Sequence, residues 1–167
     1  MRVVLETRRL ILRPFRETDL DPYARICSDP EVMRYIGPGS TLSREDAWRS
    51  MALILGHWQL RGYGMWAAED KRTGAFVGRI GLYNPEGWPA LEVGWLIERN
   101  RWGQGLATEG GAAAMQFAFE RLNLPHLSSV IHPLNRASIR VAEKLGMMQE
   151  RIAPLNGIDV MIYGRDR

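Results

Sequence analysis

Apolar residues recur along the chain at two different periods. Leu20, Tyr23, Ala24 and Cys27 stand three and four residues apart behind Thr18-Asp19, the spacing of one helical face after a start signal. Ala47, Met51, Ile54, Leu55 and Trp58 repeat that period from Ser43, with Asp46 in capping position, until Gly62. Between these, Gly37-Pro38-Gly39 breaks the chain, and ahead of them Arg8–Pro14 reads as a short strand closed by proline. After Gly62 the period shortens. Met65–Glu69 and Phe76–Tyr83 read as strands around the hairpin loop Asp70–Gly74, and Leu91–Glu98 as a third after the turn Asn84–Pro89. Gly103-Gln104-Gly105 opens a helix with Leu106, Gly110, Ala113, Ala114, Phe117 and Leu122 on one side. Leu127–His132 is strand-like, Ala137–Leu145 is helical up to Gly146, and strands Met147–Ile152 and Ile158–Tyr163 flank a turn at Asn156-Gly157. A hairpin meander followed by strand–helix–strand–helix predicts an α/β fold, a mixed sheet with helices on its faces.

Length and composition narrow the class. The 167 residues, without repeat or linker, read as one domain spanning 1–167. With 46% apolar and 25% charged residues, the chain has the make-up of a water-soluble globule. No stretch approaches the ~20 apolar residues that cross a bilayer, and the opening MRVVLETRRL has no leader-like apolar run, so the expectation is cytoplasmic and free of membrane. The single cysteine, Cys27, makes no internal disulfide. A formal charge of +3 is spread evenly, with no basic block of the kind that binds nucleic acid. His57, His126 and His132 lack metal-ligand spacing, so no metal is expected; each reads as a structural residue.

Chemistry concentrates in two segments. In the first, Glu92–Glu98 runs into Trp102-Gly103-Gln104-Gly105 and a helix begins. Glycines let a ligand approach the backbone, and the free N–H groups of a helix start attract phosphate. A dinucleotide fold would want Gly or Ala at Thr108 and a carboxylate after the next strand, which ends instead in His132-Pro133. A Gly-Lys-Ser/Thr phosphate loop is absent. In the second segment, Asn135 and Ser138 open a helix after a strand, where an Asn also serves as a cap.

Four motifs in order resemble the GNAT acetyltransferases that use acetyl-coenzyme A, in the branch similar to bacterial ribosomal-protein N-terminal acetyltransferases. They are Thr7–Pro14, Val77-Gly78-Arg79-Ile80-Gly81-Leu82, Glu92–Trp95 with Trp102–Glu109, and Asn135-x-x-Ser138 with Lys144-Leu145-Gly146. The resemblance covers nearly the whole chain. It implies the acyl-coenzyme A N-acyltransferase fold, with a central mixed, mostly antiparallel sheet of about seven strands. Acetyl-coenzyme A would be the co-substrate, and Trp95, Leu96 and Ile97 would pair with its pantetheine arm. Backbone amides of Gly103, Gln104, Gly105, Leu106, Ala107 and Thr108 would hold its pyrophosphate. Asn135 would bond the pantetheine and Ser138 would sit near the sulfur as a catalytic group. Arg140 and Lys144 could meet coenzyme phosphate, with solvated helix residues as the default reading. Two positions depart from many members: Trp102 replaces Arg or Gln, and Ala142 replaces a tyrosine that protonates the leaving thiolate.

The amine acceptor is mostly protonated at neutral pH, so a base is needed. Glu92 is the best-placed carboxylate, sharing a strand face with Gly94 and Leu96, and a backbone N–H near Leu96 would steady the carbonyl oxygen. In such a fold the first two helices and nearby loops hold the acceptor. Trp48, Trp58, Tyr35, Tyr63, Trp66 and Trp88 lie in those segments, with core packing as the default for each. The expected activity is acetyl transfer to a primary amine within a ternary complex, by a monomer or homodimer. A ribosomal or other protein N-terminus, an amino acid, a polyamine and another small-molecule amine all fit the sequence. The alternative is a non-catalytic acyl-coenzyme A-binding or sensing domain of the same fold.

Overall fold

In the computed structural model, which describes residues 3–167, local backbone chemistry sets most element ends. The helices are α1 (Leu20–Cys27), α2 (Pro30–Met33), α3 (Arg44–Arg61), α4 (Leu106–Glu120) and α5 (Arg136–Lys144). Ser43 caps α3 by accepting the Asp46 N–H, and Gly62 ends it in the left-handed region at φ 76°. The single-turn α2, which the sequence pattern leaves out, is too short to show a period. It forms because Pro30 opens its first turn and Asp29 accepts the Glu31 N–H.

Eight strands form one sheet: β1 (Leu5–Glu6), β2 (Leu10–Arg13), β3 (Met65–Asp70), β4 (Phe76–Tyr83), β5 (Glu92–Ile97), β6 (His126–Ile131), β7 (Met148–Leu155) and β8 (Ile158–Asp166). Their order is β1-β2-β3-β4-β5-β6-β8-β7, and every neighbouring pair is antiparallel except β5–β6. The expected seven becomes eight through β1, a two-residue strand set by the pairs Leu5↔Leu12 and Glu6↔Ile11. The closing hairpin turns at Asn156 and Gly157, both at positive φ, 51° and 83°. Its strands run past their expected C-terminal ends, β7 to Leu155 through Pro154 and β8 to Asp166 through Gly164 and Arg165, because ladder pairing continues where the apolar pattern stops.

Helices cover both faces. On one side α4 and α5 pack Met115, Phe117, Ala142 and Leu145 against Leu10, Trp66, Ile80, Leu82 and Val93. A Cβ at Gly110 would overlap the Ile80 side chain, so α4 depends on that glycine to lie close to the sheet. On the other side α1, α2 and α3 bury Tyr23, Cys27, Val32, Met51 and Ile54 against Met65, Ala67, Phe76 and Leu96. Beneath α1, the guanidinium of Arg13 donates twice to Asp19 at 2.8 Å and once to Glu69 at 2.6 Å. Among the described residues no helix is long and apolar enough to cross a membrane.

The β5–β6 boundary positions the site. Only Glu92↔Ser128 is in register there. The Ser128 N–H donates to the Leu91 carbonyl at 3.0 Å and the Ser129 hydroxyl to the Val93 carbonyl at 3.0 Å. Beyond that point β5 stays with β4 and the two parallel strands part.

Candidate active site

The gap is lined by backbone that a neighbouring strand would otherwise use. Glu98 donates its N–H to the Val77 carbonyl at 2.9 Å. By alternation, Leu96 and Gly94 also turn their amides toward β4, whereas Trp95 and Ile97 turn theirs into the gap. The Leu96 amide is therefore spent within the sheet, and the free amides near it belong to Trp95 and Ile97. This replaces the expectation for the carbonyl-binding N–H by one residue in either direction. The Ile97 carbonyl is taken by the Trp102 indole N–H at 2.8 Å, which folds that tryptophan against the strand end.

From this edge the chain turns through Gly103 and Gly105, at φ 74° and 77°, into α4. Gly105 is the N-cap and offers no side chain, so the first amides of α4, on Leu106, Ala107 and Thr108, have no partner inside the helix. These residues line a cavity of about 600 Å³ together with Trp95, Leu96, Ile97, Asn135 and Ser138. Arg101, Arg136, Arg140 and Lys144 line it as well, so Arg140 and Lys144, which the sequence leaves with two readings, stand on the cavity wall. Uncapped amides, a free strand edge and cations fit a long polyanionic cofactor such as a coenzyme A. Gln104 is the exception: its carbonyl turns away to accept Arg9 Nη1 at 2.8 Å.

Arg9 is the residue that sequence reading missed here. Its Nε donates to Glu109 at 2.7 Å, and Glu109 also accepts the Thr7 hydroxyl at 2.6 Å and the Arg9 N–H at 2.7 Å. Burial pushes the Glu109 carboxyl up, but these bonds outweigh it and hold it below its ordinary value. The pair ties the glycine turn to β2 across 100 residues of sequence. Arg9→Met frees the Gln104 carbonyl to swing toward the phosphate site. Titration calorimetry should show coenzyme A binding weakened several-fold, about 1 kcal/mol, with the melting temperature nearly unchanged. Unaltered affinity would leave Arg9 no part in shaping the turn.

Asn135 caps α5 by accepting the Ser138 N–H at 3.1 Å. The Ser138 hydroxyl accepts the Trp95 indole N–H at 3.2 Å, so its own proton remains to be offered elsewhere. Trp95, Asn135 and Ser138, with Tyr35 and Ile36, also line a second cavity of about 270 Å³ on the other side of the strand. Glu92, Gly94, Arg79, Tyr83 and Trp88 line that second cavity. Glu92 thus faces the cleft on the side shared with Gly94, the orientation that a base requires. Burial pushes its carboxyl up to about 7, against smaller opposite pulls from Trp88, the Arg79 charge and the Val130 N–H. Val130 donates to Glu92 Oε2 at 3.3 Å, while the buried Trp88 indole nitrogen stops short of hydrogen-bond geometry.

Other expectations sort by position. Tyr35 and Trp88 reach the second cavity. Trp58 and Trp66 pack edge to face at 5.0 Å, Tyr63 packs on His57, and Trp48 is exposed. Ala142 is buried in the core behind α5, so the position that carries a phenol in many relatives faces no cavity. His57 bonds the Tyr63 carbonyl through Nδ1 at 2.8 Å and accepts the Asn84 N–H through Nε2 at 3.1 Å, so both ring nitrogens are spent on holding the backbone. His132 accepts the Leu134 N–H at 3.1 Å and packs against Tyr35 with the rings tilted by 34°.

Known proteins are similar to this chain over nearly its whole length. Residues 9–148 fit the acetyltransferase (GNAT) domain model. The uncharacterized protein YkkB of Bacillus subtilis is 34% identical over 169 aligned residues, covering 96% of this chain and 94% of its own. An acetyltransferase from Agrobacterium tumefaciens has the same structure at a TM-score of 0.88 and 32% identity, with 99% of this chain and 95% of that one covered. RimL, a ribosomal-protein α-N-acetyltransferase solved with coenzyme A, shares the fold at a TM-score of 0.82 and 20% identity, with 98% of each chain covered. A family model across most of the chain and a relative alike along almost its whole length establish that the chain belongs to the GNAT acetyltransferase family.

Proposed function

We propose that the protein transfers the acetyl group of acetyl-coenzyme A directly to a primary amine held in the second cavity. The observation that carries this reading is the meeting of two cavities at one seam. A cradle of free amides and cations lies on one side, the buried Glu92 on the other, and Trp95 with Ser138 stands between them. Coenzyme A lies along the Trp95–Ile97 edge with its pyrophosphate on the amides of the Gly103–Thr108 turn. The acetyl carbonyl then sits near the gap-facing amides, whose fixed dipoles stabilise the developing oxyanion with little reorganisation.

Glu92 takes the proton from the acceptor ammonium, directly or through one water, and the neutral amine attacks the thioester carbon. The C–N bond forms, the oxyanion collapses, and the C–S bond breaks with its electron pair leaving on sulfur. The second nitrogen proton passes to that thiolate, through the Ser138 hydroxyl or water, to give the amide and free coenzyme A thiol. Ser138, whose lone pair is occupied by Trp95, offers its hydroxyl proton toward that thiolate. Positioning of the two reactants supplies much of the rate. The acceptor is a protein N-terminus or a small-molecule amine.

The test is a thermal-stability series followed by a transfer assay. Acetyl-coenzyme A or coenzyme A at a hundred times its dissociation constant should add ~2.7 kcal/mol, a rise of several degrees in melting temperature. ATP and NAD should produce none. Release of free thiol on adding a panel of amines should follow. No coenzyme shift would overturn the cradle. A shift without transfer to any amine would favour a binding or sensing domain instead.

A further inference from the structure

Two arginines of this sheet, the buried Arg13 and the half-buried Arg79, are treated differently. Arg13 is enclosed by Asp19 and Glu69. Arg79 lines the second cavity, its Nε is buried without a hydrogen-bond partner, and among the described residues no carboxylate comes within 4.0 Å of it. The groups that face it are Tyr23 and Cys27 of α1 and Tyr83 of β4, with Glu92 farther off. Burial pushes Tyr23, Cys27 and Tyr83 up, so all three meet the guanidinium as neutral groups. A half-buried guanidinium whose Nε has no partner and which has no fixed counter-charge is placed to receive an anion from the cavity.

The register shows where that anion would sit relative to the amine. Arg79↔Leu96, Gly81↔Gly94 and Tyr83↔Glu92 are consecutive pairs on one face of β4 and β5. Arg79 and Glu92 therefore stand at opposite ends of a floor whose middle pair is two glycines. Glycine leaves that middle without side chains of its own: the Met65 tip and Glu92 Oε1 both reach over Gly94, each 3.0 Å from where a Cβ would stand, and the β3 backbone at Gly64 and Met65 closes over Gly81. A molecule on this floor can present nitrogen to Glu92 at one end and an acid to Arg79 at the other. A diamine or polyamine would bring a second cation beside an unpaired guanidinium. A single planar guanidinium matches a carboxylate fork, and no second fixed cation lines the cavity for a phosphate.

We infer that the acceptor is a primary amine that itself carries a carboxylate, such as a free amino acid, and that Arg79 is the specificity-determining residue that receives it. This rests on the reading of the Glu92 cavity as the acceptor site.

Thiol release should be followed with acetyl-coenzyme A and matched acceptors: amino acids, the same amino acids as carboxamides, their decarboxylated amines, and short peptides with neutral side chains. The wild-type enzyme should prefer the acids by ~10-fold or more in kcat/KM, because a site built around a group rejects the analogue that lacks it. Arg79→Gln should abolish that preference through KM, and Arg79→Lys should restore part of it. Equal or better use of carboxamides, diamines or neutral peptides by the wild type overturns the inference, as does an Arg79→Gln enzyme that keeps the acid preference. Binding gives a second reading independent of turnover and of the variants. Amino acids, and not their carboxamides, should raise the melting temperature of the coenzyme A complex, and the absence of that difference also overturns it. Failure of the broader function would instead show as no response to coenzyme A at all.

Discussion

Glu92→Gln should lower kcat by ~10²-fold or more, the usual share of a positioned proton acceptor, while coenzyme A binding stays within about twofold. The amide keeps the size of the acid and can still accept the Val130 N–H, so the cleft should keep its shape. The wild-type rate should rise with pH through about 7, the region to which burial pushes the carboxyl, and the residual rate of the variant should lose that step. Stability should move the other way. The folded value lies above the ordinary 4.5, so between about 4.5 and 7 the native state holds a proton that the unfolded chain has released. Glu92 therefore costs nothing below that window and costs progressively more as pH rises through it, up to about 3 kcal/mol. Gln cannot ionise, so the variant should melt several degrees above the wild type at pH 8 and near it at pH 4.5. Unchanged turnover would remove Glu92 from the base role.

Asp19→Ala should be the most damaging substitution to the fold, costing about 3–5 kcal/mol in urea denaturation. Asp19 is 3% exposed and neutralises an Arg13 that is 5% exposed. It also accepts the Arg16 N–H at 2.7 Å, which anchors the turn leading into α1. Without it, Arg13 keeps Glu69 as its only close counter-charge, with the Pro14 carbonyl at 3.2 Å, and an amide loses its acceptor. Asp19→Asn keeps the amide bond and should cost less. Asp21, which bonds Arg44 on the exposed surface, is the control, and its alanine variant should stay within ~0.5 kcal/mol. A loss below 1 kcal/mol for Asp19→Ala would sink the view that this ion cluster needs both its acids.

What the sequence made legible was what local chemistry determines. Glycines at 103 and 105 announce a turn because only glycine adopts their left-handed backbone readily, and the near-continuous apolar runs of β4 and β5 read as strands because both of their faces are covered. Glu92 was placed on the Gly94 face by strand periodicity alone, and the cavity lies on that face. What escaped was long-range or non-periodic. Nothing near Arg9 foretells a bond to Glu109, and the four residues of α2 carry no period. Arg79 did leave a trace, a lone charge inside the apolar run Phe76–Tyr83, but its meaning depends on partners that α1 fails to supply. Arg140 and Lys144 look like any solvated helix charges until the position of α5 beside the gap is known.

The parting of β5 from β6 has a mechanical consequence. Five strands, β1 to β5, and three, β6, β8 and β7, are joined across the sheet by one backbone register pair and three neighbouring bonds. The molecule is in effect two plates sharing a short hinge line, with α4 and α5 riding on the same side of both. A carrier bridging the gap acts as a rivet between those plates: each contact it makes to one plate while seated on the other adds stiffness that the polypeptide alone does not possess. Substrate binding and rigidity of the sheet are then one and the same event.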